Sequence, residues 1–532
     1  MVTLRSHTRE RARRRSSWAF LPQEIRRMIL EEISRQNRWS RASTVCKEWH
    51  TIVASKNLNR LELNRASTQG LEKVIMQRHL IRQIYLNMEL PDYYCTQCRN
   101  YSHLFDPSML TKEALQSLTK ALAAWEPTHH VTLELNAYSP GDPNHCFKNH
   151  LYGFEHENHE NLLEKQEAWD DPDHGWFEGK QKEPPKTSAI QQLFITAIAE
   201  VGSASSPKVP AVKGVVIRRQ MRRKIDRSAL SKLLKQFPNL ESITYEPWRV
   251  LLHRPNENDL SCGKQDQMLL VGLPTWPQHV RSVTIFEDFN EQMMEAIRSN
   301  PVPTFGNESF QVETRRRTNY RMGEAFAVRS RSLEHLSVSF MVDARDFFTS
   351  CKMLSDWPRL RSLILTTPLM TKGSRQSISD LLVNAGQVAQ KMQHLKSLAI
   401  WHCSQDKASA VIFHKNEKGG RKVQGSATLT WRGTCGFDFS KEVVETWQKV
   451  VCTCNSHPGY VGQCDSHQFL CKIERVEGEI ISHGDAIHHL RLPNGVIDPR
   501  SLRQIRQEGI LQREAWTVGA EPVDESESEE EP

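Results

Sequence analysis

Cys95-x2-Cys98 is the sharpest chemical signal in this 532-residue chain, because two thiolates at that spacing can take two corners of a tetrahedral zinc site. His103, Cys146 and His150 can supply the other corners if residues 139–150 fold back; the competing reading is a pair of free thiols. A second group, Cys452-x-Cys454, His457, Cys464, His467 and Cys471, is rich in ligand types but has no familiar ligand spacing. The expectation is no cofactor and no metal, with Cys95 and Cys98 the candidates should one bind. Catalytic patterns are missing as well. The sequence has no phosphate-cradling glycine loop and no Gly-x-Ser-x-Gly elbow. His156-Glu157-Asn158-His159 sets its histidines three apart in a polar stretch, which is not the spacing of a metal helix. Asp170-Asp171 lie in polar sequence that offers no burial to shift a carboxyl for acid–base work. The chain reads as non-catalytic.

Composition narrows the classes further. Lys+Arg 70 against Asp+Glu 63 leave a net charge of +7, too mild to announce a nucleic-acid partner. Arg218-Arg219, Arg222-Arg223-Lys224 and Arg315-Arg316-Arg317 lack the interleaved aromatics of a single-strand binder and read as solvated faces, with an acidic protein as the other option. Apolar runs all stop well short of the roughly 18 residues a membrane span needs, and the N-terminus is not a signal peptide. Twelve irregularly spaced cysteines then read as reduced thiols in the cytoplasm, the nucleus or both. Residues 1–17 carry six arginines and almost no apolar group, which predicts a disordered basic arm, with nuclear import its functional reading. Residues 516–532 predict a disordered acidic tail in which Ser526 and Ser528 each precede a Glu by three residues, a pattern that acidophilic kinases accept.

The segment 18–57 has a different character. Ile25, Met28, Ile29 and Ile33 form one stripe of a helix that opens with Leu21-Pro22 and has Glu24 in its first turn. Ala42, Val45, Cys46, Trp49 and Ile52 repeat the pattern in a second helix. So small an all-α unit buries little surface alone and looks built to dock. Leu21-Pro22-Gln23-Glu24-Ile25, Ile29-Leu30, Ile33 and Val45-Cys46-Lys47-Glu48-Trp49 resemble an F-box, with Trp39 near the place where that family usually has a leucine. More closely, the run resembles the F-box proteins of filamentous fungi. Leu133–Pro140 and Leu490–Pro499 look like the same group. The resemblance implies that Leu21, Pro22, Ile25, Ile29, Leu30, Ile33, Val45, Cys46 and Trp49 make the interface with a Skp-type adaptor or the packing that shapes it.

Residues 58–515 predict an α/β body. The pattern apolar-x-x-apolar-x-apolar recurs at Leu58/Leu61/Leu63, Ile81/Ile84/Leu86, Leu240/Ile243/Tyr245, Val280/Val283/Ile285, Leu333/Leu336/Val338, Leu360/Leu363/Leu365, Leu395/Leu398/Ile400 and Ile487/Leu490/Leu492. Weaker copies begin near His130, Val212 and Ser426, and helical patterns lie between them. This predicts an irregular leucine-rich-repeat-like solenoid whose parallel sheet face is the usual binding surface; an ordinary α/β domain is the alternative. Residues 139–186 and 304–321 lack a sustained apolar period and read as polar insertions on the surface. The resemblance then implies a receptor subunit of an SCF-type ubiquitin ligase. Its F-box would bind the adaptor and, through it, a cullin, while the body would hold an unknown target protein. A scaffold that recruits no ligase is the alternative.

Overall fold

A computed structural model describes residues 18–33, 44–69, 71, 78–95, 106–150, 169–202, 206–249, 252–253, 262–299, 311–312, 319–404, 406–416, 426–455 and 469–513. Two helices come first, α1 (Gln23–Ile33) and α2 (Lys47–Asn59). The chain then builds one sheet of 12 strands, labelled here in chain order: β1 Arg60–Leu63, β2 Gln83–Glu89, β3 Val131–Tyr138, β4 Val212–Ile217, β5 Ser242–Tyr245, β6 Ser282–Phe286, β7 His335–Asp343, β8 Ser362–Thr366, β9 Ser397–Ser404, β10 Lys407–Asn416, β11 Ser426–Gly433 and β12 Phe469–Arg475. Order in the sheet equals order in the chain. Strands β1 to β9 are parallel throughout, β10 runs antiparallel between β9 and β11, and β12 is parallel to β11.

The recurring apolar triplets explain the register. Leu61, Ile84, Leu133, Val215, Ile243, Val283, Leu336, Leu363 and Leu398 pair across nine successive strands. Two residues on, Leu63, Leu86, Leu135, Ile217, Tyr245, Ile285, Val338, Leu365 and Ile400 make a second column. A period of two keeps both columns on one face, where a single slip would send every apolar side chain to the other side. That face packs against the crossover helices, among them α3 (Ser108–Ala123), α4 (Arg227–Leu234), α5 (Tyr320–Ser330), α6 (Ala344–Cys351) and α7 (Arg375–Ala389). Several of these helices start on side-chain caps: the carboxyl of Asp226 accepts from the amides of Ser228 and Ala229, Asp343 from that of Arg345, and Ser374 from that of Ser377.

One copy of the triplet is not a strand. Ile487 lies in helix α8 (His483–His489) and Leu490 at its C-cap, because Ser482 and Asp485 close a capping box that starts a helix there. Helix α8, with α9 (Pro499–Arg513), crosses to the second face of the sheet. There Ile480, Ala486, Ile487, Leu490, Val496, Ile497 and Ile505 pack on Phe286, Ile364, Ala399, Trp401, Ala408, Ala410 and Ile412. Much of the sheet surface expected to face a partner is thus covered by the chain's own C-terminal segment.

Two expectations about polar sequence change as well. Arg218, Arg219, Arg222 and Arg223 are 1–3% exposed, not solvated, because carboxylates from distant parts of the chain meet them inside. Their partners are Glu134, Asp288, Glu508 and Asp142. The described parts of 139–186 send Phe147, His150, His174 and Trp176 into the interior, and Gly175 (φ +77) makes the turn after His174 with the carbonyl of Glu183 too close to admit a side chain. Residues 1–17, most of 304–321, Arg315–Arg317 and 516–532 lie outside the described residues.

Candidate functional site

The N-terminal module begins with a single 3-10 turn, Trp18–Phe20, whose last step is the hydrogen bond from the amide of Leu21 to the carbonyl of Trp18 (3.2 Å). Pro22 follows and its carbonyl accepts from the amide of Arg26 (3.0 Å), so α1 starts where a proline costs no helical hydrogen bond. Inside the module Leu30 is fully buried. The Trp18 indole nitrogen donates to Glu48 (3.0 Å), Arg26 donates to the same carboxylate (3.3 Å), and the Trp18 and Trp49 rings lie 4.9 Å apart. These four side chains clasp the turn, α1 and α2 together, and α2 runs directly into β1.

Part of what the clasp leaves outside is apolar. Phe20 is 64% exposed, Ile25 41%, Met28 63% and Val45 62%, and Pro22 and Cys46 are exposed too. Ile25 and Met28 stand at i and i+3 and are therefore neighbours on α1. Lone exposed apolar residues are ordinary, but this set gathers on one small module, along α1 and at the start of α2. Of the nine residues the sequence singles out, Pro22, Ile25, Val45 and Cys46 are exposed, Leu21, Ile29, Ile33 and Trp49 are half-buried, and Leu30 faces inward. Phe20 and Met28 were not among them; their bulk beside Leu21 and Ile25 was the signal.

The body has an open cleft at the other end of the sheet. Arg361, Lys396, Arg432, Lys472 and Arg491 line it with His335 and His414, against one carboxylate, Glu474, which pairs with Arg432 at 2.6 Å. Its basic residues come from strands and turns far apart in sequence, so no local run announced it.

The zinc candidates are rearranged. Cys98 and His103 lie outside the described residues. Cys146 is buried in a small apolar cluster with Tyr93, Phe147 and Leu193, while its carbonyl accepts from Trp176 (3.3 Å) and Gln181 (2.9 Å). His150 is buried beside Phe147 with its Nδ1 at 2.7 Å from the Asn149 side chain; burial, then the nearby Arg222, pushes its pKa down to about 3. Neither is a ligand to Cys95. Two histidines that the sequence reading passed over lie there instead: His145 Nδ1 is 3.5 Å from Cys95 Sγ and 3.1 Å from His174 Nε2. In the second group, Cys452 and Cys454 fall on the helix Lys441–Asn455 and Cys471 is half-buried on β12, where burial raises its pKa. His457, Cys464 and His467 lie outside the described residues. Among the described residues no helix is long and apolar enough to cross a membrane.

Known families account for two parts of the chain. Residues 275–498 match a family of unknown function (DUF6546), a stretch that runs from β6 through α8 and stops just before α9. No curated protein matches the chain. Residues 18–61 match the F-box domain, so the module with the exposed apolar ends is an F-box, the domain that binds Skp-type adaptors within cullin-based SCF complexes and suggests a substrate-recognition role.

Proposed function

We propose that this chain is the substrate-recognition subunit of an SCF-type ubiquitin ligase, of the filamentous-fungal kind that its F-box helices and the phrases at Leu133 and Leu490 resemble. The observation that carries the reading is the solvent-facing apolar set Phe20, Pro22, Ile25, Met28 and Val45 on the F-box. Such a set loses water contact when an adaptor covers it, and each side chain fully buried adds about 1.5–3 kcal/mol. The in-register columns of apolar residues support a leucine-rich-repeat-like solenoid as the rigid body, with the basic cleft around Arg361 and Lys472 as the place where an acidic segment of a target rests. The receptor does no bond chemistry. It raises the concentration of target lysines near a ubiquitin-loaded enzyme. Reduced thiols and the basic arm fit a cytoplasmic or nuclear home.

Co-purification of the full chain with a Skp-type adaptor and a cullin tests this, comparing wild type with the Leu21→Ala, Pro22→Ala double variant. The expected result is both partners with wild type and neither with the variant, whose melting temperature is unchanged. Undiminished adaptor binding by the variant refutes the face; adaptor without cullin refutes the ligase.

A further inference from the structure

Cys95, His145 and His174 come from three separate stretches that follow β2 and β3, and their ligand atoms all lie within 4.8 Å of one another. What makes them more than neighbours is the other side of each imidazole. His145 Nε2 is 2.9 Å from the carbonyl oxygen of Tyr93, an acceptor only, which assigns the ring proton to Nε2 and turns the Nδ1 lone pair inward. His174 Nδ1 is 2.8 Å from the Asp171 carboxylate, which assigns the proton there and turns the Nε2 lone pair inward. Two lone pairs thus face each other at 3.1 Å with the Cys95 sulfur 3.5 Å from one of them. Lone pairs repel unless something positive lies between them.

The His145–His174 and Cys95–His145 separations are those of a metal site, and the third, from Cys95 to His174, is within 4.8 Å. With Zn–N of about 2.0–2.1 Å, Zn–S of about 2.3 Å and tetrahedral angles, the edges of a zinc site are about 3.3 Å between nitrogens and about 3.6 Å between nitrogen and sulfur. The outer partners are those that metal-bound histidines use, a backbone carbonyl for one and a carboxylate for the other. Asp171 is itself held, by Lys148 Nζ at 2.8 Å and by His174 Nδ1 at 2.8 Å. The surrounding packing fixes both rings. Tyr93 stacks on His145 with centroids 4.8 Å apart, and the two histidines are only 8% and 7% exposed while Cys95 opens to solvent, which gives an ion a way in. A thiolate with two imidazoles selects zinc over calcium or magnesium, which take oxygen.

We propose that Cys95, His145 and His174 bind a structural zinc ion that staples the segments after β2 and β3 to the turn at His174. The three leave one corner for water or a further donor. The site lies outside the F-box and outside the basic cleft, so it stands whether or not the chain recruits a ligase.

Metal analysis of the full-length protein, purified without chelator and then titrated with Zn2+ and separately with Co2+, tests it. Wild type is expected to hold close to one zinc per chain and to show a thiolate-to-cobalt charge-transfer band. The His145→Ala, His174→Ala double variant is expected to lose at least tenfold of the bound zinc, and Cys95→Ser to weaken the cobalt band. Should a variant fail to fold, X-ray absorption on the wild-type zinc protein decides, with a shell containing two imidazole nitrogens and at least one sulfur expected. Wild type that takes up less than a tenth of an equivalent overturns the proposal and leaves a proton shared between two rings. A double variant with full zinc, or a shell of sulfur alone, overturns it by placing the metal elsewhere.

Discussion

Arg219 and Glu508, 289 residues apart in sequence, meet at 2.8 Å inside the protein, both nearly out of reach of solvent. The carboxylate also accepts from Arg222, while Arg219 reaches Asp288 at the end of β6. Through this pair the last helix, α9, is tied to the strand ends it covers. Burial would raise the pKa of Glu508, but Arg219 and Arg222 overturn that and hold it well below the usual carboxylate range.

Replacing Glu508 with Gln removes the charge that two buried guanidiniums share. Leaving a buried ion without its partner costs about 3–5 kcal/mol, so Glu508→Gln is expected to lower stability by that order in urea unfolding. Because the pKa of Glu508 is depressed, its contribution is present above the ordinary carboxylate range and fades as pH falls; the gap between wild type and variant should therefore close on acidification. A gap that is equal at pH 3 and pH 7 refutes the ion-pair account.

Glu246 has the opposite sign. Its oxygens accept from the amides of Arg219 (3.0 Å) and Asp498 (2.8 Å) and from Ser501, but full burial, then the nearby Asp498, pushes its pKa up to about 7. A raised folded-state value gives stability that is whole below the unfolded pKa and is lost as pH rises through about 7. The rise from 4.5 corresponds to about 3 kcal/mol. Glu246→Gln, which cannot ionise, is therefore expected to gain on wild type in melting temperature between pH 5 and pH 8. Parallel pH profiles for the two proteins would remove the claim.

Much of the sheet was legible because burial leaves a period of two in any strand, and seven of nine successive strands wrote the triplet clearly between Leu58 and Ile400, the two near His130 and Val212 more weakly. The copy at Ile487 misled because the same apolar spacing also suits a helix, and only the Ser482–Asp485 cap decides between them. Arg218 and Arg219 misled for a different reason: a cation goes inside only if a counter-charge arrives, and Glu134, Asp288 and Glu508 come from positions that no local window joins. The F-box itself was readable in Leu21 to Trp49, since its helical pattern is local. The pairing of Cys95 with His145 and His174 was not, because it depends on where two loops after different strands end.

Within the F-box, fold and face separate by residue. Leu30 is fully buried, so Leu30→Ala is expected to lower stability by about 2–5 kcal/mol. Met28, one turn along from Ile25 and 63% exposed, supports nothing inside; Met28→Glu should leave melting within about 0.5 kcal/mol of wild type while weakening adaptor capture at least tenfold. Equal adaptor affinity for Met28→Glu and wild type, measured by calorimetry, would move the contact surface off this side of α1.

The basic cleft makes the last prediction. Arg361, just before β8, and Lys472, on β12, are exposed, and Lys396 and Arg491 line the same cleft, so an acidic peptide entering there meets several cations at once. Each exposed pair adds only about 0.2–1 kcal/mol, and together two charge reversals amount to about tenfold in affinity. A labelled peptide with the acidic sequence of residues 524–531 is a suitable probe, since it tests both a target of that character and the chain's own tail as competitor. Arg361→Glu with Lys472→Glu is expected to weaken its binding about tenfold, and added salt should weaken the wild type in the same way because exposed charges are screened within about 10 Å at 0.1 M. The adaptor should bind the reversed protein as before, because the F-box shares no residue with the cleft. Peptide affinity that ignores both salt and charge reversal would show that this cleft does not select acidic partners.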